Sequence, residues 1–270
     1  MNMAGLRMLG RADECEVQGL PYLDAVSLAD RPRIADLLRR AYAGEASHFE
    51  FASAGVATRI YKSCFVPIMN KNGGVDKLMG ITEDITERKL AEEKVLNLAF
   101  YDTLTQLANR RLLSDRLGQA IAACRRSGCY GAVMFLDMDN FKPLNDHYGH
   151  DVGDMLLIEV AHRIGRCVRE TDTVARFGGD EFVVLIGELD AELALSLDQA
   201  RIVAEKIRAA LSEPYFLGDR KTLEYRCSSS IGVVLFTGDG ASQEEVLKRA
   251  DLAMYRAKEH GRNRVGFFEP

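Results

Sequence analysis

No stretch of this chain approaches the roughly 18 unbroken apolar residues that a membrane span requires, and the N-terminal MNMAGLRMLGRADE has no signal-peptide core. A soluble, cytoplasmic protein with no membrane span in this chain is therefore expected. The six cysteines, Cys15, Cys64, Cys124, Cys129, Cys167 and Cys227, lack the paired short spacings of a zinc site or a secreted disulfide framework. They read as free thiols in a reducing compartment. A basic excess is missing too: 40 acids against 35 bases leave a formal charge of -5, which argues against a general nucleic-acid binder, whose footprint is basic. Disorder is excluded by a hydrophobic content of 47%, and 270 residues suffice for one large domain or two modest ones with real cores.

What is present divides the chain. SLADRPRIADLLRRAYAGE places Ile34, Leu37, Leu38 and Tyr42 at helical spacing, with Gly44 to end the helix. SHFEFAS and ATRIYKSCFVPIMN read as strands, and LMGITEDIT returns after the turn NKNGG as a hairpin partner. One helix on a small antiparallel sheet results. In DITERKLAEEKVLNLAF, Asp84 and Glu87 have the spacing of a capping box, and Ala91, Val95 and Leu98 form a short heptad-like stripe. Pairing with the same helix of a second chain and packing on its own domain both fit that stripe.

From Tyr101 onward helices and strands alternate. Helices are expected over 109–126, 152–168, 194–211 and 243–260, with strands at 131–136, in a hairpin over 174–186 and in the stretch 215–236. The order contains β-α-β-β-α-β, the pattern of an α+β domain in which helices cover a mostly antiparallel sheet.

Three groups of residues carry chemistry. The apolar strand Ala132 to Leu136 runs into Asp137 and Asp139, on one side of the strand by its two-residue period. Buried acids there are costly unless a hard cation such as Mg²⁺, which takes oxygen ligands and bridges to phosphates, sits among them. In ARFGGDEFVVLI, a hairpin tip at Gly178–Glu181 brings Asp180 and Glu181 toward Asp137, while the glycines admit a bulky ligand to the backbone. Lys142, Lys258 and Arg262 suit a triphosphate, the last two on one face if the helix continues through Gly261. Asn145 and Asp154 offer an amide and a carboxylate that would distinguish guanine from adenine. Each group also has a plain reading: a solvated turn, helix-end cations, helix caps.

YDTLTQLANRRLL, FLDMDNFKPLNDHYGHDVGD, ARFGGDEFVVLI, SSSIGVV and ADLAMYRAKEHGRNR together resemble, in order and approximate spacing, the GGDEF family of diguanylate cyclases. The resemblance covers about Tyr101 to Phe268. It implies a five-stranded sheet surrounded by helices, similar to nucleotidyl cyclase and polymerase palm domains. It also implies condensation of two GTP molecules into cyclic di-GMP with release of two pyrophosphates, in a homodimer. By position, Asp137, the Met138 carbonyl, Asp180 and Glu181 correspond to the ligands of Mg²⁺ or Mn²⁺, two ions per site. Asp180 and Glu181 correspond to the catalytic acids, with Asp180 taking the 3′-hydroxyl proton. Asn145 and Asp154 match the guanine pair, and Lys142, Lys258 and Arg262 the phosphate contacts. Asp139 matches a family acid and is given a supporting role. Arg169 and Asp172 in RETD fit the site through which the product inhibits. A binding module that has lost the chemistry is the alternative. Gln106 stands where the family usually has glycine.

The N-terminal part resembles the second half of a PAS domain, with FVPIMNKNGGVDKLMGITEDITERK leading into a signalling helix. The expected organisation is a partial PAS-like sensor over 1–86, a linker helix over 87–100 and the cyclase domain over 101–270. His48, the one histidine of that first part, reads as an ordinary residue rather than a haem ligand.

Overall fold

The computed structural model describes residues 13, 15, 18–54, 58–218, 222–238 and 242–269. The N-terminal stretch read for a signal core lies largely outside them. The chain forms two compact units, Met1–Leu96 and Asn97–Pro270. Among the described residues no helix is long and apolar enough to cross a membrane.

In the first unit α1 (Arg31–Tyr42) packs on a three-stranded antiparallel sheet of β1 (Ser47–Ala52), β2 (Ile60–Met69) and β3 (Val75–Asp84). Alternate residues Phe49, Phe51, Tyr61 and Phe65 meet Ile34 and Ala41 in its core. Tyr42, expected on the apolar face of α1, is instead exposed at the helix end. His48 is exposed on β1. Helix α2 (Thr86–Phe100) begins where the Asp84 carboxylate accepts the Thr86 N–H at 3.0 Å, and none of its residues is buried.

The second unit holds a five-stranded sheet in the order β10-β9-β4-β6-β5. Its strands are β4 (Gly131–Asp139), β5 (Thr173–Gly178), β6 (Glu181–Ile186), β9 (Ser228–Phe236) and β10 (Val265–Phe267), all antiparallel neighbours except β9 and β10. The short β7 (Tyr215–Leu217) and β8 (Leu223–Tyr225) make a ribbon of their own. Helices α3 (Arg110–Ser127), α4 (Phe141–Tyr148), α5 (His150–Cys167), α6 (Leu193–Ser212) and α7 (Gln243–Glu259) cover both faces. Central strand β4 is apolar from Ala132 to Leu136 because each face meets helices. Met134 and Leu136 pack with Leu156, Leu157 and Ile207, while Val133 and Phe135 pack with Leu113, Val246 and Met254. On β9, a Cβ added at Gly232 would stand 2.1 Å from the Ala250 carbonyl oxygen, so the missing side chain lets α7 lie against the sheet.

Two departures from the sequence reading bear on the site. Strand β4 continues through Asp139, three residues further than expected, because β9 pairs it to the end, Asp139 opposite Ser228. Helix α7 ends at Glu259, and Gly261, Arg262 and Asn263 all have positive φ, so Lys258 and Arg262 do not share a helical face.

Gln106 also has positive φ, 58°, the left-handed region that a Cβ disfavours. Glycine at this position would be unstrained, which gives the family's preference a physical basis. Gln106→Gly is expected to stabilise the second unit by about 0.5–1 kcal/mol, the relief of left-handed strain less the extra unfolded-state entropy of glycine. Chemical denaturation checks it; a lowered midpoint would mean that the Gln106 Nε2 bond to the Thr103 carbonyl, 2.8 Å, matters more than the strain.

Candidate active site

The hairpin quoted above turns in two residues, Gly179 and Asp180, between the paired Gly178 and Glu181. Gly179 supplies the positive φ of 50° that such a turn needs. Pairing of β4 with β6 sets Asp137 opposite Glu181, and the Met138 N–H donates to the Asp180 carbonyl at 3.3 Å. From the last turn of α7, Lys258 reaches the same place, Nζ 2.7 Å from Asp137 Oδ2. Four of the residues singled out from the sequence, Asp137, Asp180, Glu181 and Lys258, thus converge beside the Met138 backbone.

Burial raises the proton affinity of Asp137; the bond from Lys258 opposes this, and the carboxylates of Asp180 and Asp139 add to it. Burial likewise raises Glu181, reinforced by Asp137, Asp251 and Asp180. Both shifts describe crowded, partly desolvated acids with one nearby ammonium to offset them. An all-oxygen donor set under that strain fits a hard divalent cation, which would relieve burial and repulsion together. Among the described residues no three acids, histidines or cysteines already stand close enough to enclose an ion.

Asp139 is buried and accepts three hydrogen bonds. Ser228 Oγ and Ser230 Oγ donate to it at 2.6 and 2.8 Å, and the Asn263 N–H at 3.1 Å. It holds the turn after α7, with both carboxylate oxygens already accepting hydrogen bonds.

Asn145 and Asp154 come from two successive helices. Lys142 and Asn145 lie on α4, and Asp154 in the early turns of α5. Asn145 Oδ1 is buried with no hydrogen-bond partner, an arrangement that costs about 1–3 kcal/mol unless something fills it. Gly153 makes the space, since a Cβ there would come within 1.9 Å of that oxygen. Lys142, Asp154 and Arg262 are exposed.

Sequence reasoning missed the contact that steadies the hairpin. Arg176 donates to the Gly179 carbonyl through Nε at 3.0 Å and Nη2 at 2.8 Å, and its Nη1 reaches Asp102 at 3.2 and 3.3 Å. Burial pushes the Asp102 carboxyl up, yet bonds from Thr105 and Arg176 outweigh it and hold it below its ordinary range. Parallel bridging of Ala108 to Ala175, with the Arg176 N–H donating to the Ala108 carbonyl at 2.9 Å, fastens the same segment.

Away from the acids, Arg169 and Asp172 close a small loop: the Asp172 N–H donates to the Arg169 carbonyl at 3.0 Å and the Arg169 N–H to Asp172 Oδ2 at 2.9 Å. They line a cleft of about 580 Å³ together with Arg116 and Arg126 of α3. Those two arginines also escaped sequence reasoning, since their helix precedes Arg169 in the chain by a whole strand and two further helices.

Solved structures of GGDEF domains share this fold. The coiled coil and GGDEF domain of DgcB from Caulobacter crescentus, in complex with c-di-GMP, matches with a TM-score of 0.59 at 34% identity, over 68% of this chain and 93% of that one. The GGDEF domain of YfiN (TpbB) from Pseudomonas aeruginosa matches with a TM-score of 0.57 at 36% identity, over 62% of this chain and 99% of that one. Among curated proteins, the bifunctional diguanylate cyclase/cyclic di-GMP phosphodiesterase MucR of Pseudomonas aeruginosa is 48% identical over 179 residues, 66% of this chain and 25% of MucR. The cyclic di-GMP phosphodiesterase NbdA of the same organism is 42% identical over 178 residues, 66% of this chain and 22% of NbdA. The chain therefore spans about a quarter of the length of these curated relatives. Residues 99–264 match the family model described as diguanylate cyclase, GGDEF domain, and residues 1–90 match the PAS fold. The chain belongs to the GGDEF family and carries a PAS segment ahead of its GGDEF domain.

Proposed function

We propose that this chain is a diguanylate cyclase that condenses two GTP into cyclic di-GMP, one GTP per GGDEF domain of a homodimer. The observation that carries this reading is the meeting of Asp137, Asp180, Glu181 and Lys258 at the joined ends of β4 and β6.

Guanine recognition falls to Asp154, whose carboxylate accepts from N1–H and N2–H, and to Asn145, whose amide NH2 donates to O6 or N7. Lys142, Lys258 and Arg262 hold the phosphates. Asp180 receives the 3′-hydroxyl proton as that oxygen bonds to the α-phosphorus of the other nucleotide and the bond to pyrophosphate breaks. Two such displacements close the ring and release two pyrophosphates. Bound Mg²⁺ or Mn²⁺, held by Asp137, the Met138 carbonyl, Asp180 and Glu181, would neutralise the phosphates and polarise the attacked phosphorus. The proposed division of the chain is a PAS-like sensor over 1–86, a linker over 87–100 and the cyclase over 101–270. The exposed stripe Ala91, Val95 and Leu98 on α2 supports a linker that meets its copy in the dimer. Soluble, cytoplasmic placement accompanies the GTP substrate.

Purified protein incubated with GTP and Mg²⁺, with the nucleotides then separated, tests the reading. Equal absence of product from wild type and from Asp180→Ala in dimer-forming conditions would sink it. The second reading, a domain that binds nucleotide without turnover, is favoured by the likeness to NbdA, a protein named for phosphodiesterase activity alone. GTP binding without product formation would select it.

Product is expected to inhibit through Arg169 and Asp172. Three guanidinium groups, Arg116, Arg126 and Arg169, border one cleft, a setting for a dianionic dinucleotide. Titrating cyclic di-GMP should lower the initial rate, and Arg169→Ala should blunt the effect; a full rate in excess product would remove the prediction.

A further inference from the structure

Two residues of α6, neither of them among the proposed nucleotide contacts, hold the Asn263 side chain in the turn that carries Arg262. After α7 the chain passes through Gly261 at φ 113°, Arg262 at 60° and Asn263 at 46°. Consecutive left-handed residues that carry a Cβ are unfavourable, and they persist where surrounding bonds over-determine them. The turn is started by a helix-end bond, the Arg262 N–H to the Ala257 carbonyl at 3.2 Å. Beyond it, the restraint converges on Asn263. Its N–H donates to Asp139 at 3.1 Å. Its side-chain Oδ1 accepts from Arg208 Nη1 at 3.0 Å and lies 2.9 Å from Ser212 Oγ. The Arg264 carbonyl next along accepts the Ile231 N–H at 3.0 Å, returning the chain to the sheet.

We infer that Arg208 and Ser212 are positioning residues for the phosphate contact, acting through Asn263 to fix the turn that carries Arg262. The inference rests on the diguanylate cyclase reading, in which Arg262 meets the triphosphate. Asp139 secures the turn from the sheet side and the α6 pair secures it from the helix side, so neither half alone fixes both the backbone and the side chain of Asn263. Arg208 is itself held in place by Glu205, Nε to Oε2 at 2.7 Å, one turn earlier on α6. Its guanidinium is thus aimed at the turn from a rigid element rather than from a loop.

The test is a double-mutant cycle read by GTP binding and by initial rates, on the full chain with Mg²⁺. Arg208→Gln, and more strongly Arg208→Gln with Ser212→Ala, should raise the Kd and KM for GTP by about fivefold to thirtyfold, part of the roughly tenfold to hundredfold scale of a hydrogen bond to a charged group because the loss acts through the turn. The kcat at saturating GTP should change less than about twofold, since an interaction made equally in ground and transition states affects KM alone. Arg208→Lys should recover part of the loss. Adding Arg208→Gln to Arg262→Ala should weaken binding no further than Arg262→Ala does alone, because the turn then has nothing to present. A general structural role for Arg208 would instead give additive losses. If Arg262→Ala weakens GTP binding while Arg208→Gln with Ser212→Ala leaves it unchanged, or if the losses add, the inference is overturned alone. A wild-type chain that takes up no GTP overturns the cyclase reading and the inference with it.

Discussion

Asp180→Ala should lower cyclic di-GMP formation by at least about 10³-fold, the combined scale of losing a base and a metal ligand, while the fold survives. The substitution removes a carboxylate and spares the backbone that matters locally, since the bond from the Met138 N–H goes to the Asp180 main-chain carbonyl. Asp180 also lies outside the set of positive-φ residues, so alanine fits its conformation. Electrostatics point the same way: Asp180 adds to the repulsion that raises Asp137 and Glu181, so the variant should be no less stable than wild type. Separated nucleotides after timed incubation, together with a denaturation midpoint, check both halves. Product above about a tenth of the wild-type level would move the essential proton acceptor to another group.

Loss of the proposed guanine pair should have the next largest effect. Asp154→Ala is expected to reduce kcat/KM for GTP by about 10²- to 10³-fold and to leave the little activity toward ATP unchanged, because buried base edges left without partners carry this kind of discrimination. Gly153→Ala offers an independent route to the same site. Its new Cβ would fall 1.9 Å from Asn145 Oδ1 and must drive the amide from its place. GTP preference should drop although neither member of the pair has been altered. Competition between GTP and ATP measures both variants; an unchanged preference in Asp154→Ala would assign base selection elsewhere.

Much of the second unit was legible because its signals are local. Alternating burial on both faces of β4 leaves an unbroken apolar run ending in acids, and the hairpin announces its turn with glycines. The helices α3, α5, α6 and α7 were found to within about two residues by the period of their apolar positions. Other features were illegible for physical reasons. The short α4 contains Pro143 and two turn-prone residues, Asn145 and Asp146, and it exists because Leu144 is buried in the core. Helical spacing of Lys258 and Arg262 failed because Gly261 ends α7 with a left-handed residue. Asp139 shares a strand side with Asp137, as its period required, but two serine hydroxyls on β9 claim it, and β9 lies about 90 residues on. Contacts such as Arg176 to Asp102 join residues far apart in the chain, where no period reaches.

That last contact has a mechanical consequence. Asp102 lies two residues past the end of α2, and the same guanidinium that grips it also grips the carbonyl at the hairpin tip. Asn109 adds a second tether, its side-chain amide donating to the Ala99 carbonyl at 3.0 Å. A displacement of the end of α2 would therefore reach the backbone beside Asp180 by two ties, the Arg176 guanidinium and the Asn109 amide with its neighbour Ala108 bridged to β5. The end of α2 and the hairpin turn are thus held to one another across 74 residues of chain by Arg176.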